Sequence, residues 1–199
     1  MAQVITLNHA VIDSFDLSQL QKYTSWHTNT QYFNLSPGKE HYKLLAFFSK
    51  TMTCPTLIDV GTYLGYSAIA MSYDSSKVVY SFDVCNNIPE NNFFTVKDVR
   101  SIRLSTEPYL DKLEELVKHT DFILLDIDHT GTFEKTFLDK LREINYKGIL
   151  MMDDIHLNDE MKAVWNSISE RKYDISKYGH WSGTGLVVFD ESRFQIVLD

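Results

Sequence analysis

Acidic residues in this chain gather where short apolar runs end. Asp83, then Asp126 with Asp128, then the neighbours Asp153 and Asp154 each close such a run. Asp121-Phe-Ile-Leu-Leu-Asp126 is apolar between its terminal acids, and Gly148-Ile-Leu-Met-Met152 leads into the Asp pair. Runs of this kind belong to parallel strands buried on both faces. Parallel strands share one carboxyl edge, so Asp126 and Asp153 should converge there. Three close carboxylates repel and raise one another's pKa unless a cation joins them. Oxygen-only ligation by aspartate suits Mg²⁺, Mn²⁺ or Ca²⁺, which makes Asp126, Asp153 and Asp154 the expected metal set. His129 follows Asp126 in the pattern Asp-x-x-His and can reach the same space. An imidazole that titrates near neutrality can take a proton from a hydroxyl, with Asp126 beside it. Helix capping is the plainer role for Asp128 and Asp154. Five more residues are candidates to line an acceptor pocket: Trp26, Tyr32, His156 and the His180-Trp181 pair within Gly179-His-Trp-Ser-Gly-Thr-Gly185. Packing on the sheet edge and hairpin turn chemistry are the alternatives for the aromatics and for the glycine-rich stretch.

The element that must position these groups is Thr56-Leu-Ile-Asp-Val-Gly-Thr-Tyr-Leu-Gly-Tyr-Ser-Ala-Ile-Ala-Met71. It reads as a buried strand, a turn between Gly61 and Gly65, and a helix: the start of a βαβ unit. A turn of this kind places backbone N–H groups beside the carboxyl end of a strand, where open α/β sheets bind ligands. The spacing is G-x-x-x-G. It lacks the third glycine of a dinucleotide fingerprint and the lysine of a phosphate loop. It suits a ligand with a ribose and an amino acid tail. Asp59, Gly61, Thr62, Tyr63, Gly65 and Ser67 are the candidate contacts, together with Asp126 at the neighbouring strand end. Asp83 ends the next strand about 20 residues past Gly61, where an acid can accept hydrogen bonds from ribose hydroxyls. Cys85 and Ser105-Thr106 fall where a base edge would be met.

Helical stretches separate the strands. Ser36-Pro37 predicts a helix start running to about Lys50, with Ser as N-cap and Pro at the first position. A short helix is expected over Asp16 to Tyr23. Others follow Pro108, run from about Thr132 to Ile144, and cover Met161 to Ile168. The tail, Tyr173 to Tyr178, Gly185 to Phe189 and Phe194 to Leu198, reads as strands with no helix between them. The pattern predicts a three-layer α/β sandwich, Rossmann-like, with a mostly parallel seven-stranded sheet and an antiparallel C-terminal hairpin. Residues 1–35 are expected to form a cover segment on one domain spanning 1–199.

Composition narrows the classes. The 199 residues are 44% hydrophobic, enough for a sizeable core, and the net charge is −8. That charge is the opposite of a nucleic-acid footprint and is repelled by anionic membranes. No run approaches the roughly 18 apolar residues of a bilayer span. Met1 to Thr6 has no basic region followed by an apolar one, and two cysteines make no disulfide framework. A reduced, cytoplasmic protein is expected.

Taken together, these motifs resemble those of class I S-adenosylmethionine (SAM) dependent methyltransferases. Leu57 to Ser67 resembles their motif I, and Asp83 matches the acid that holds the SAM ribose. The resemblance covers roughly residues 36–189 and is nearest to small-molecule O-methyltransferases of the catechol and macrocin types. It implies that Asp126, Asp153 and Asp154 hold a divalent cation, Mg²⁺ or Mn²⁺, and that His129 is the base of the sugar-directed branch. Catechol-type enzymes have Asp-Asn where this chain has Asp153-Asp154, and use a lysine as base; here the first lysine after Asp126 is Lys135. The implied activity is methylation of a hydroxyl on a small molecule or sugar, such as a deoxyhexose of a glycan. A metal-independent O- or N-methyltransferase and a non-catalytic SAM-binding subunit are the alternatives. If the chain assembles with another protein, a homodimer is expected.

Overall fold

The computed structural model describes residues 2–24, 30–85, 87–88, 102–105 and 109–199. Trp26 and Thr106, expected at the site, lie outside the described residues. Seven strands form one sheet in the order β4-β3-β2-β5-β6-β8-β7: β2 (Thr56–Val60), β3 (Val78–Phe82), β4 (Ile102–Ser105), β5 (Thr120–Leu125), β6 (Ile149–Asp153), β7 (Arg171–Asp174) and β8 (Thr184–Val188). The first five in that order pair in parallel. β8 runs antiparallel to both β6 and β7, which gives the expected hairpin finish.

Alternation within the uniformly apolar strands sorts the core into two layers. Leu57, Phe122, Leu124, Ile149 and Met151 pack on one face with Leu45 and Phe48 of α2 (Tyr42–Thr51) and Ile69 of α3 (Tyr66–Met71). Their neighbours Ile58, Val60, Ile123, Leu125 and Met152 pack on the other. There they meet Phe137 and Leu141 of α5 (Thr132–Glu143) and Trp165 of α6 (Asp159–Ser167). Leu113 of α4 (Tyr109–Leu116) joins this second layer. Successive strand residues point to opposite faces, so a strand covered by helices on both sides must be apolar throughout. Each fully buried Leu or Phe contributes about 1.5–3 kcal/mol.

The N-terminus differs from expectation. β1 (Gln3–Leu7) pairs in parallel with β9 (Phe194–Leu198) as a separate two-stranded sheet, so β9 leaves the main sheet. A short helix α1 (His9–Asp13) follows, capped by the Asn8 side chain. The stretch expected as a helix over Asp16 to Tyr23 is a 3₁₀ turn, Ser18–Thr24, fixed by Leu20 and Tyr23 entering the core. Ser36-Pro37 does not start α2. Gly38 takes φ +85° and donates its N–H to the Gly179 carbonyl, so 36–40 is a turn tied to the loop before β8. The helix begins only at Tyr42, after His41. The strand expected from Tyr173 stops at Asp174, and the chain then loops through His180 before β8. Among the described residues, no helix is long and apolar enough to cross a membrane.

Candidate active site

Chain order reverses between β2 and β5. The chain leaves β2 towards β3 and β4, then returns to place β5 on the other side of β2. A crevice forms at such a switch point, at the carboxyl ends of the strands. Gly61 and Asp126 meet there. The Asp126 N–H donates to the Val60 carbonyl at 2.9 Å. A Cβ on Gly61 would lie 1.5 Å from the Asp126 carbonyl oxygen, and Gly61 has φ +113°. Only glycine fits this junction.

The turn that follows is braced by its own backbone. Gly61 and Thr62 both donate N–H to the Phe82 carbonyl, and Gly65 donates to Thr62. Tyr63, at φ +41°, donates its N–H to Asp83 Oδ2 at 2.6 Å. These amides are therefore spent, contrary to the expectation that the turn presents free N–H groups to a ligand. Beneath the turn runs a buried polar chain. Thr62 Oγ1 and Ser81 Oγ lie 2.6 Å apart, and Ser81 donates to Asp59 Oδ2 at 2.5 Å. Asp59 is wholly buried, and burial lifts its pKa to about 7 against the pull of the Ser81 hydrogen bond. Asp59 thus sits behind the turn and shapes it, rather than lining the cavity in front.

Two cavities flank Gly61, Tyr63 and Asp126. The larger, about 560 Å³, runs along Phe82, Asp83, Cys85, Asp128, His129 and Phe133. The smaller, about 260 Å³, is lined by Tyr32, His41, Tyr42, Thr62, Tyr66 and Ser67. Phe33, the neighbour of Tyr32, is instead core, with Tyr42 and Tyr66 around its ring. Ser105 stays behind the larger cavity, where its carbonyl accepts the Asp83 N–H.

Around Asp126 the acids alternate with imidazoles. His129 Nε2 lies 3.2 Å from Asp126 Oδ1 and 3.2 Å from Asp154 Oδ2. His180 Nδ1 lies 3.1 Å from Asp154 Oδ1 and 3.5 Å from Asp153 Oδ2. His41 Nδ1 lies 3.1 Å from Asp153 Oδ2. Ser182 donates to Asp154, and Thr184 to Asp153 Oδ1 at 3.2 Å. Neither Asp128 nor Asp154 caps a helix: Gly131 precedes α5 with no side-chain bond, and Asn158 caps α6. Asn158 also donates to the His129 carbonyl, and Glu134 accepts the His129 N–H. These bonds hold His129 at φ +57°, opposite Asp154 at φ +58°. Non-glycine residues in this region carry strain that the surroundings must impose, and such residues cluster at functional sites.

The electrostatics follow from this interleaving. Burial favours neutral imidazoles, but Asp153 with its neighbouring acids outweighs it, lifting His41 to about 9 and His180 to about 10. Burial likewise opposes an ionised Asp153, yet His41 and His180 hold its carboxyl far below the usual range. His129 is raised too: burial works against the charge, and the hydrogen bond and charge of Asp126 prevail.

The fit to a cation differs from the all-oxygen set expected. Among the described residues, the one group of three donors whose ligating atoms lie within 4.8 Å of one another is His41, Asp153 and His180. Asp126 and Asp154 stand across His129 from each other. His41 was not foreseen; it lies far from Asp153 in sequence, and no spacing links them. His156 pairs with Asp174 at 2.7 Å, away from the strand-end acids. Trp181 is 72% exposed and meets the His180 ring edge-on.

No protein-family model matches the sequence, and a search of curated proteins finds no match. Solved structures do match. The SAH-bound methyltransferase PaMTH1 of Podospora anserina has TM-score 0.62 at 13% identity, over 86% of this chain and 87% of that one. An O-methyltransferase of Bacillus cereus in complex with SAH has TM-score 0.59 at 17% identity, over 88% and 92%. The O-methyltransferase TomG of Streptomyces achromogenes, in complex with SAM, has TM-score 0.59 at 13% identity, over 90% and 95%. The chain has the fold of SAM-dependent methyltransferases.

Proposed function

We propose that the chain is a SAM-dependent O-methyltransferase acting on a hydroxyl of a small molecule or sugar. One observation carries the choice of cofactor. Among the described residues, the larger cavity is lined by Asp83, Asp126 and Asp128 with no lysine or arginine, and the amides of Gly61, Thr62, Tyr63 and Gly65 in the turn above it are taken. Such a cavity repels a pyrophosphate and attracts a cationic sulfonium. The solved neighbours in complex with SAM or SAH support the same reading.

Bound SAM would supply an electrophilic methyl group. Asp83 keeps lone pairs for ribose hydroxyls after accepting from Tyr63 and Cys85. Cys85 and Tyr63 line the cavity beside it, and Thr62 and Ser67 face the smaller cavity, which suits the amino acid tail. The acceptor would lie on the Asp126 side, with its hydroxyl at His129. His129 Nε2 faces Asp126 and Asp154, so Nδ1 is the nitrogen left to take the proton, and the two carboxylates stabilise the imidazolium that results. Tyr32, which lines the smaller cavity, and exposed Trp181 beside His180 offer flat apolar faces, the kind of surface on which a sugar ring can lie. A cation near Asp153 would lower the pKa of an acceptor hydroxyl and orient it.

The test is calorimetric titration with SAM, then an acceptor panel of glycosides and catechols scored for SAH release with and without chelator. SAM binding with turnover on a hydroxyl acceptor is expected. A folded chain that does not bind SAM overturns the reading. Turnover that survives chelator would favour the metal-independent alternative, in which the histidines around Asp153 act as counter-charges only.

A further inference from the structure

We propose that His41, Asp153 and His180 form a mixed nitrogen–oxygen site for a borderline divalent transition metal, of the Zn²⁺, Co²⁺ or Mn²⁺ class. The three come from separate parts of the fold: the residue before α2, the end of β6, and the loop between β7 and β8. Their donor atoms nonetheless lie within 4.8 Å of one another. His41 and Asp153 are each 3% exposed. Buried charges are paired or coordinate a metal, and here two imidazoles from distant segments converge on one carboxylate.

His41 is the second, independent sign. Its Nδ1 pairs with Asp153 Oδ2 at 3.1 Å, while its buried Nε2 has no hydrogen-bond partner among the described residues. Buried polar atoms are nearly always satisfied, and an unpartnered nitrogen on a buried ring points to a ligand.

The surroundings are arranged as an outer shell. Thr184 Oγ1 occupies Asp153 Oδ1, which leaves Oδ2 facing both imidazoles. Thr184 Oγ1 also accepts the backbone N–H of His180 at 2.8 Å, and the Glu40 carboxylate lies 3.8 Å from Nε2 of that ring, leaving Nδ1 on the Asp153 side. Outer-shell hydroxyls and carboxylates of this sort orient metal-bound histidines. Two imidazoles and one carboxylate select a borderline metal, because Mg²⁺ prefers oxygen and an octahedral shell. The proposal deepens the reading of the acceptor side but does not depend on it, since metal binding can be measured without methyl transfer.

The intact chain, stripped with chelator and dialysed, is titrated with Co²⁺, Zn²⁺ and Mg²⁺ by calorimetry, with Co²⁺ followed also by its visible absorption. One Co²⁺ or Zn²⁺ per chain is expected, with no displacement by excess Mg²⁺. His41→Gln and His180→Gln should each weaken Co²⁺ binding by about 10–100-fold or more, while Asp126→Asn leaves it nearly unchanged. Circular dichroism confirms folding of each variant, and either histidine variant suffices if the other misfolds. Absence of Co²⁺ binding overturns the site, as does affinity unchanged in both histidine variants. Loss in Asp126→Asn with retention in His41→Gln would likewise overturn it, in favour of an all-carboxylate set. SAM titration of the same samples is scored separately: a chain that binds Co²⁺ but not SAM keeps this site and loses the methyl-transfer reading.

Discussion

Gly61→Ala is the sharpest perturbation of the site. An added Cβ would sit 1.5 Å from the Asp126 carbonyl oxygen and 2.6 Å from its carbonyl carbon. A carbon and an oxygen in ordinary contact lie at about 3.3 Å or more, so the two strand ends must separate by about 1.8 Å. The obstacle is backbone, and no rotamer change relieves it. The same shift breaks the hydrogen bond from Asp126 to Val60. Positive φ adds roughly 1–2 kcal/mol and overpacking about 1–3 kcal/mol, so the fold should lose about 2–5 kcal/mol. At this chain length that is roughly 5–20 °C in Tm. Displacement of the turn should also weaken SAM binding, and a misplacement of about 1 Å at the reacting centre should cost roughly 10²-fold in rate. Gly65→Ala is the control. Its Cβ would meet Ile88 Cδ1 at 2.9 Å, the far end of a flexible side chain, so only the φ cost of about 1–2 kcal/mol applies. Thermal melts and SAM calorimetry on both variants decide the matter. A Gly61→Ala protein with parental Tm and SAM affinity would refute the β2–β5 junction described here.

Three further outcomes can be checked directly. Asp83→Ala should weaken SAM binding by about 1–3 kcal/mol, the worth of hydrogen bonds to a charged group, and parental affinity would remove Asp83 from the ribose site. His129→Ala should lower kcat by roughly 10²–10⁴ with SAM binding retained, and an unchanged pH–rate profile would reject its role as base. Asp59 titrates at about 7 when folded against an ordinary 3.8, so between those pH values the folded state keeps a proton that the unfolded chain has lost. Stability from this group is therefore present below about pH 4 and gone above about pH 7. Asp59→Asn should flatten that slope in denaturant melts, by up to about 4 kcal/mol at pH 8, and an unaltered slope would show that Asp59 ionises freely.

Much of this architecture was legible because it is local. Apolar runs ending in acid marked β2, β5 and β6, and G-x-x-x-G marked the turn, since each follows from burial or backbone freedom within a few residues. Placement of Asp83, Asp126 and Asp153 on one edge followed from parallel pairing alone. What was not legible is what depends on distant partners. β1 looks irregular because its pairing partner is β9, at the other end of the chain. Ser36-Pro37 carries every mark of a helix start, but Gly38 bonds to Gly179 and the start moves to Tyr42. That same tie places Glu40 and His41 against His180, with Glu40 3.8 Å from His180 Nε2. The acids and His129 stand out because they mark strand ends in an Asp-x-x-His pattern, and His180 because of its glycine-rich stretch, whereas His41 carries no such mark and is brought to Asp153 only by the fold.

On the proposed reading, this interleaving resolves a difficulty. Acids that attract a sulfonium also stabilise it before reaction, and methyl transfer discharges it. Stabilisation of the ground state alone raises affinity without raising kcat. Asp126 escapes the conflict by its position, since it lines the cofactor cavity and also faces His129 Nε2. As His129 takes the acceptor proton, positive charge appears on the imidazole, between Asp126 and Asp154. The positive charge is relocated past one carboxylate rather than lost, and Asp126 is opposed to it at both ends. Asp154, in contact with His129 but absent from the lining of the cofactor cavity, favours only the later position. Asp154→Asn should therefore lower kcat more than it weakens SAM binding, and Asp126→Asn should impair both. Equal effects of the two variants on SAM affinity would show that the carboxylates share one role and that the charge is not passed between them.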